Sequence, residues 1–351
     1  MQRSRRFAVL TVAVVGLGLT PSALTATGNT PTLAPSPAAA ATTSTTLRVA
    51  TFNVRTSRAT QDKQSWLRRA PAVAREILSR RPGVVALQEL GPGRADGQTG
   101  TTQGTARQTQ SLTSSLAAAG GGRYRLVRTT PYVAPGTSHG TQGARLLYDS
   151  SRYSLLSRCP DTTGTRSFSR SCSVELPLAS GDREKLRRSA AYAAFRDRRT
   201  GASFYVASAH LDSRHSKSAT TEAKYNRLRA RQAAAVADTV ARANRHHWPV
   251  VFGGDINSWQ SDRGRYAPHR ALVARGYRDA VAAKRRVNFA YPTINHFKTT
   301  QKASKSKTGG VRLDVVMAKG ARGFTRYENK VSRVSSLRPS DHNMVVADIV
   351  L

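Results

Sequence analysis

The segment Val250-Val251-Phe252-Gly253-Gly254-Asp255-Ile256-Asn257 is an apolar, β-rich run that ends in two glycines, a carboxylate and a carboxamide. The run reads as a buried strand, and the glycines as a tight turn directly after it. The i, i+2 spacing then sends Asp255 and Asn257 toward one spot. A carboxylate placed there can orient or deprotonate water, while an amide holds that water or a nonbridging phosphate oxygen. Alone, the pattern is no more than an Asp/Asn turn at a strand end. Five further segments share its construction: Thr51-Phe52-Asn53-Val54-Arg55, Leu87-Gln88-Glu89, Ala209-His210-Leu211, Arg312-Leu313-Asp314 and Ser340-Asp341-His342-Asn343. Each sets a carboxylate, carboxamide or imidazole at the end of an apolar run, where an α/β enzyme gathers reactive groups. Together they point to a phosphoester-cleaving site.

The stretches between these segments set the fold class. Strands are expected over 47–54, 84–87, 124–129 and 145–148, then as a pair over 189–196 and 202–210 joined by a turn at 198–201. Closing strands follow over 313–317 and 344–350. Trp66, Ala70, Val73 and Ile77 repeat at helical spacing before Arg81-Pro82-Gly83 breaks the pattern. A second helix is expected over 108–119. A basic amphipathic helix is expected over 224–243, with Arg227, Arg229 and Arg231 on a solvated face. Strands outnumber helices, and both kinds run the whole length. That distribution suggests a four-layer α/β sandwich, two packed mixed β-sheets flanked by helices.

The N-terminus reads as an export signal over residues 1–26. Arg3, Arg5 and Arg6 precede an apolar run, and small residues follow it. Ser4-Arg5-Arg6-Phe7 resembles a twin-arginine signal, so the twin-arginine and general secretory routes both stand. Residues 27–46 are Pro/Ala/Thr-rich and expected to be a disordered spacer. Residues 47–351 make one catalytic domain. No segment is apolar and long enough for a transmembrane span in the mature form, and a secreted, extracellular monomer is expected. Cys159 and Cys172 are the chain's two cysteines. An isolated close pair in an exported protein is expected to form a disulfide, and the spacing fits no zinc pattern.

With 56 Lys+Arg against 20 Asp+Glu, the chain carries a formal charge of +36. Such a charge favours phosphate-rich partners: nucleic acid, anionic lipid or inositol phosphate. Lys298, Lys302, Lys305, Lys307 and Arg312 lie in a Ser/Thr/Gly-rich segment just before Asp314. A flexible lysine loop beside the site can grip a phosphate backbone. No aromatic interleaving marks a platform for single strands.

The order Asn, Glu, His, Asp-x-Asn, Asp, Asp-His resembles the endonuclease/exonuclease/phosphatase superfamily, with deoxyribonuclease I as a type member. The resemblance implies the four-layer sandwich and attack of water on a phosphoester with Mg²⁺ as cofactor, Mn²⁺ or Ca²⁺ being alternatives. It implies Glu89 as the main metal ligand with Asn53 and Asp341 nearby. Asp255 and Asn257 then handle the nucleophile and transition state, and His342 paired to Asp314 contacts the phosphate with His210 as a second histidine. Ser167-Phe168-Ser169-Arg170 resembles the deoxyribonuclease segment whose arginine contacts DNA phosphate, which casts Arg170 in that role. Two departures are plain: Gly91 stands where the deoxyribonuclease has arginine, and Gln142 where it has the glutamate that partners the first histidine. The expected function is therefore a secreted Mg²⁺-dependent nuclease acting on DNA, with RNA as a further substrate. The alternatives are a phosphatase or phospholipid phosphodiesterase, acting on inositol phosphate or sphingomyelin, and a noncatalytic polyanion-binding protein.

Overall fold

Apolar segments buried on both faces account for the central strands, so sheet rather than helix fills the centre. The computed structural model describes residues 44–58, 64–91, 93–98, 104–127, 143–159, 172–183, 187–260, 266–332 and 338–351. The expected leader, nearly all of the spacer, Gln142 and Arg170 lie outside these residues. In chain order the elements are β1 (Thr46–Asn53), α1 (Trp66–Leu78), β2 (Val84–Gln88), α2 (Gln108–Leu116), β3 (Tyr124–Leu126) and β4 (Arg145–Asp149). Next come β5 (Tyr153–Leu155), β6 (Ser173–Glu175), β7 (Ser189–Asp197), β8 (Ser203–His210), α3 (Ala219–Ala243), β9 (Val250–Asp255) and α4 (Ala267–Val273). The last are β10 (Arg278–Asp279), β11 (Arg285–Val287), β12 (Asp314–Lys319), β13 (Gly323–Lys330) and β14 (Met344–Val350).

They form two mixed sheets, ordered β11-β13-β14-β1-β2-β4-β3 and β10-β12-β9-β8-β7-β5, with β6 paired to β7. The central neighbours β1–β2 and β8–β9 are parallel, while β14 and β12 run antiparallel to β1 and β9. Val49, Ala86, Val206, Val251, Val316 and Val345 meet in one core between the sheets. The outer face of the first sheet is covered by Trp66, Val73 and Ile77 of α1 with Leu112 and Leu116 of α2. Ala233, Val236 and Val240 of α3 and Leu272 of α4 cover the second. Helix, sheet, sheet, helix is the four-layer sandwich read from the sequence.

Gly253 and Gly254 do not form the turn expected of them. Both lie inside β9, and neither has positive φ. A Cβ on Gly253 would sit 2.7 Å from Ala86 Cβ in the facing sheet, and one on Gly254 2.5 Å from the Ala209 carbonyl. Gly253 lets the two sheets approach closely, while Gly254 lies tight against the neighbouring strand β8 of its own sheet. The change of direction falls after them, at Asn257, whose φ is 46°.

A second difference concerns α3. Arg227 and Arg231 are exposed as expected, but Arg229 is fully buried. Its guanidinium donates to Glu222 Oε1 at 2.7 Å, Asn226 Oδ1 at 2.6 Å and the Arg214 carbonyl at 2.7 Å. A buried arginine is tolerated because its donors are spent on such acceptors. The Cys159–Cys172 disulfide is present, with Cα atoms 5.5 Å apart. No helix among the described residues is long and apolar enough to cross a membrane.

Candidate active site

Register places the reactive groups. In the second sheet Asp255 is the ladder partner of both His210 on parallel β8 and Asp314 on antiparallel β12. In the first sheet Asn53 pairs with Gln88, so Asn53 and Glu89 leave adjacent strand ends. His342 precedes β14, which is antiparallel to β1 and enters at the same edge. All six therefore converge at one end of the sandwich. Three strand exits there are strained: Arg55 after β1, Glu89 after β2 and Asn257 after β9 have φ of 58°, 58° and 46°. Left-handed backbone at a non-glycine residue is sparsely populated and tends to cluster at functional sites.

One amide bridges the two halves. Asn53 Nδ2 donates to Glu89 Oε1 and to Asp255 Oδ2, both at 3.1 Å, while its Oδ1 accepts from Arg55 N at 3.0 Å. Glu89 Oε2 accepts from Thr56 N at 2.9 Å, and Asp255 Oδ1 from Asn257 N at 3.0 Å. The Asn257 carboxamide donates to Leu211 O at 3.1 Å. His342 Nδ1 lies 2.8 Å from Asp314 Oδ2, an ion-paired hydrogen bond. The Nε2 atoms of His210 and His342 are 3.6 and 3.8 Å from Asp255 Oδ2. Asp341 sits at the rim, its Oδ2 3.6 Å from Arg55 Nη1. The neighbouring Ser340 hydroxyl donates to Asn53 O at 2.6 Å, so it pins a loop.

Burial and charge set the protonation states. Burial, with the Asp314 charge adding to it and His342 opposing, pushes Asp255 up to about 7. For His342, burial alone would depress the imidazole. The charge and hydrogen bond of Asp314, with Asp255 and Asp341, outweigh it and hold the pKa well above the usual histidine value. Burial drives His210 the other way, well below its usual value, and the charges of Arg188, His342 and Arg55 add to this. Its Nδ1 is buried without a hydrogen-bond partner among the described residues. The two imidazoles are thus biased in opposite directions, His342 toward the cation and His210 toward the neutral form.

Arg188 escaped the sequence reading. It immediately precedes β7, donates from Nη2 to Ser213 Oγ at 2.8 Å, and has a buried Nη1 unpaired among the described residues. Burial lowers its pKa, opposed by the charges of Asp212, Glu89 and Asp255. In a chain with 56 Lys+Arg, nothing local singled it out. Its position one residue before the strand that pairs with β8 was the available signal. Arg69 of α1 was missed too. Its guanidinium donates to Val54 O at 2.7 Å, Pro339 O at 2.9 Å, Arg55 O at 3.2 Å and Thr56 O at 3.3 Å. It clamps the loops that carry Asn53 and His342.

The lysine segment is less free than expected. Lys302, Lys305 and Lys307 are exposed. The segment's root is tied by Ser304 N to Ala290 O at 2.7 Å and by Gln301, which accepts from Asn343 Nδ2 at 2.9 Å. Arg312 does not join them. It is buried and donates to Thr308 O at 2.6 Å, because its place before β12 turns it into the protein.

The donor set suits a hard divalent cation. Glu89 and Asp255 are buried carboxylates sharing one neutral amide, and Asp314 Oδ1 is buried without a hydrogen bond among the described residues. Asp255, Asp314 and His342 each offer a ligand atom, all within 4.8 Å of one another. Oxygen-rich donors of this kind match Mg²⁺, Mn²⁺ or Ca²⁺ better than thiophilic metals.

The sequence profile described as the Endonuclease/Exonuclease/phosphatase family matches residues 50–342, spanning every group just described. The chain belongs to the endonuclease/exonuclease/phosphatase family. Members of this family are hydrolases acting on phosphoester bonds. Solved structures share the fold. A family protein from Bacteroides thetaiotaomicron superposes with a TM-score of 0.61 at 17% identity, covering 88% of this chain and 98% of its own. A mannosyl-6-phosphatase from the same organism gives 0.58 at 17% identity, covering 87% and 100%. The TDP2 of D. rerio, solved with a single-strand DNA product, gives 0.55 at 16% identity, covering 87% and 98%. No curated protein matches the sequence.

Proposed function

We propose that this protein is a secreted, divalent-metal-dependent nuclease that hydrolyses DNA phosphodiester bonds, with RNA as a second substrate. The observation that carries the reading is the Asn53 amide bridging Glu89 and Asp255 beside the Asp314–His342 pair. It joins a carboxylate pair suited to a cation with a cationic imidazole suited to a phosphate oxygen. Glu89, with Asn53 and Asp341 nearby, would hold a divalent cation, whose chemistry would be charge neutralisation at the phosphate and the leaving oxygen.

The remaining roles belong to the chain's own groups. Asp255, with a pKa near neutrality, orients the attacking water and takes its proton as the new P–O bond forms and the bond to the leaving oxygen breaks. Asn257 fixes the turn that presents that carboxylate through its N–H to Asp255 Oδ1. His342, kept protonated by Asp314, donates from Nε2 to a nonbridging oxygen. His210, kept neutral, offers a hydrogen bond without adding charge. Arg170 contacts phosphate as the resemblance implies, and Arg188 adds a second contact from the β7 side. Lys302, Lys305 and Lys307 grip phosphates further along the backbone. The excess of basic residues and the disulfide agree with a polyanionic substrate met outside the cell.

The test is purified protein on plasmid DNA, RNA, sphingomyelin and inositol phosphates, with Mg²⁺, Mn²⁺, Ca²⁺ or EDTA. Plasmid cleavage that needs metal and disappears in Glu89→Ala and His342→Ala is expected. Rapid turnover of lipid or inositol phosphate with inert nucleic acid overturns the substrate assignment. DNA binding without cleavage in any metal overturns the enzymatic one.

A further inference from the structure

The loops that leave β8 and β9 each carry an aromatic ring past their catalytic residue. His215 lies five positions after His210, and Trp259 two after Asn257. The two rings pack against each other with centroids 5.6 Å apart and planes tilted by 54°. They form a corner, not a stack. His215 keeps 37% of its side-chain surface exposed, and Trp259 is half-buried.

Both rings are held more firmly than a surface pair requires. His215 Nδ1 meets Glu222 Oε1 at 3.2 Å, and that carboxylate is itself buried against Arg229 and accepts from Ser216 N at 2.8 Å. Arg214, next to His215, pairs with Asp212 and Asp182 and lies over the Tyr225 ring at 4.8 Å. On the other side Gln260, next to Trp259, donates to the Gly310 carbonyl and accepts from Arg312 N. Setting a buried ion pair behind an exposed imidazole costs desolvation. What it produces is an ordered aromatic corner on the loops that leave His210 and Asn257, which lowers the entropy lost when a ligand docks.

We propose that Trp259 and His215 form a base-stacking subsite that seats the nucleobase flanking the scissile phosphate. A flat, apolar-faced ring one sugar away from a phosphate is the chemistry that matches an aromatic corner beside a phosphate site. The inference rests on the nuclease reading and deepens it, because a phosphomonoester of a sugar or inositol offers no such ring. It also supplies base contacts that the sequence pattern did not announce, since His215 and Trp259 come from separate loops.

Two measurements test it. The first compares cleavage of a short single-stranded DNA with the same strand carrying an abasic unit beside the scissile phosphate. The wild type is expected to favour the base-bearing strand by about tenfold in kcat/KM, as loss of one stacked base implies. Trp259→Leu should bring the ratio close to one, and Trp259→Phe should restore most of it. An equal fall on both strands, or an unchanged ratio, overturns the subsite. The second measurement needs no turnover. In a His342→Ala background, adenosine 5′-monophosphate should quench tryptophan fluorescence and ribose 5-phosphate should not, with the difference lost in the Trp259→Leu double variant. Absence of base-dependent quenching overturns the inference. Inert DNA together with base-dependent quenching would overturn only the nuclease assignment.

Discussion

Replacing Gly253 with alanine separates two accounts of the double glycine. If the residue served a turn, alanine at its negative φ would be nearly neutral or mildly stabilising. If it serves sheet approach, the added methyl meets Ala86 Cβ at 2.7 Å, about 0.7 Å inside the 3.4 Å of ordinary contact, with Thr51 Cβ at 3.4 Å behind it. Neither neighbour can rotate away, since each is a first side-chain carbon on a central strand. The sheets must part locally, and overpacking of this kind costs about 1–3 kcal/mol. At about 2 °C per kcal/mol for a domain of this size, the melting temperature should fall by about 2–6 °C. Activity should fall further than stability, because Asp255 lies two residues along the same strand and reaches across the gap to Asn53. A misplacement near 1 Å can cost about 100-fold in rate. Thermal melting and plasmid cleavage on Gly253→Ala, beside a surface Gly122→Ala control at negative φ with open space around it, make the comparison. A variant that melts and cleaves like the wild type refutes the sheet-clearance account.

Three further outcomes are expected. In EDTA, Asp255→Asn should melt higher than the wild type at pH 8. The folded-state pKa of Asp255 is raised from 3.8 to about 7, so its favourable contribution is fully present below pH 3.8 and lost as pH rises through 7. The gap should close toward pH 4, and a constant gap would contradict the assignment. Asp314→Asn should lower kcat by about 100-fold or more. It should also let the His342 imidazole lose its proton at lower pH, read by nitrogen NMR of the ring. A His342 that stays protonated to the same pH would remove Asp314 from that role. Arg69→Met should lower stability by about 3–5 kcal/mol in urea titration, since it leaves several buried carbonyls unpaired. A loss under about 1 kcal/mol would mean that water replaces the guanidinium.

Much of the site could be read from the sequence because its groups end apolar runs, and that local signal survives folding. Glu89 after β2 and Asp255 at the end of β9 follow this rule, while Asp314 opens the apolar run of β12. What escaped depends on partners distant in the chain. The role of Gly253 is set by Ala86, well over a hundred residues away and in the other sheet, whereas turn propensity is judged from neighbours alone. Arg229 looked like surface charge because arginine is common throughout the chain. Its burial depends on which carboxylates and carbonyls the tertiary fold brings up to it. Arg312 was assigned to the lysine loop by adjacency, but one step toward β12 reverses its direction from solvent to interior.

The pairing of His210, Asp255 and Asp314 as lateral ladder partners has a consequence for divergence. Their separations are multiples of the interstrand pitch, about 4.8 Å, and no connecting loop enters that dimension. The long connections, such as the one carrying Lys302 to Lys307 or the ones carrying His215 and Trp259, can lengthen, shorten or change chemistry while the hydrolytic core keeps its gauge. Only a register slip would alter it, and a slip of one residue would turn Asp255 to the opposite face. Such a frame invites grafting: exchanging rim loops between relatives should move substrate preference from one phosphoester to another with the bond-breaking centre left in place.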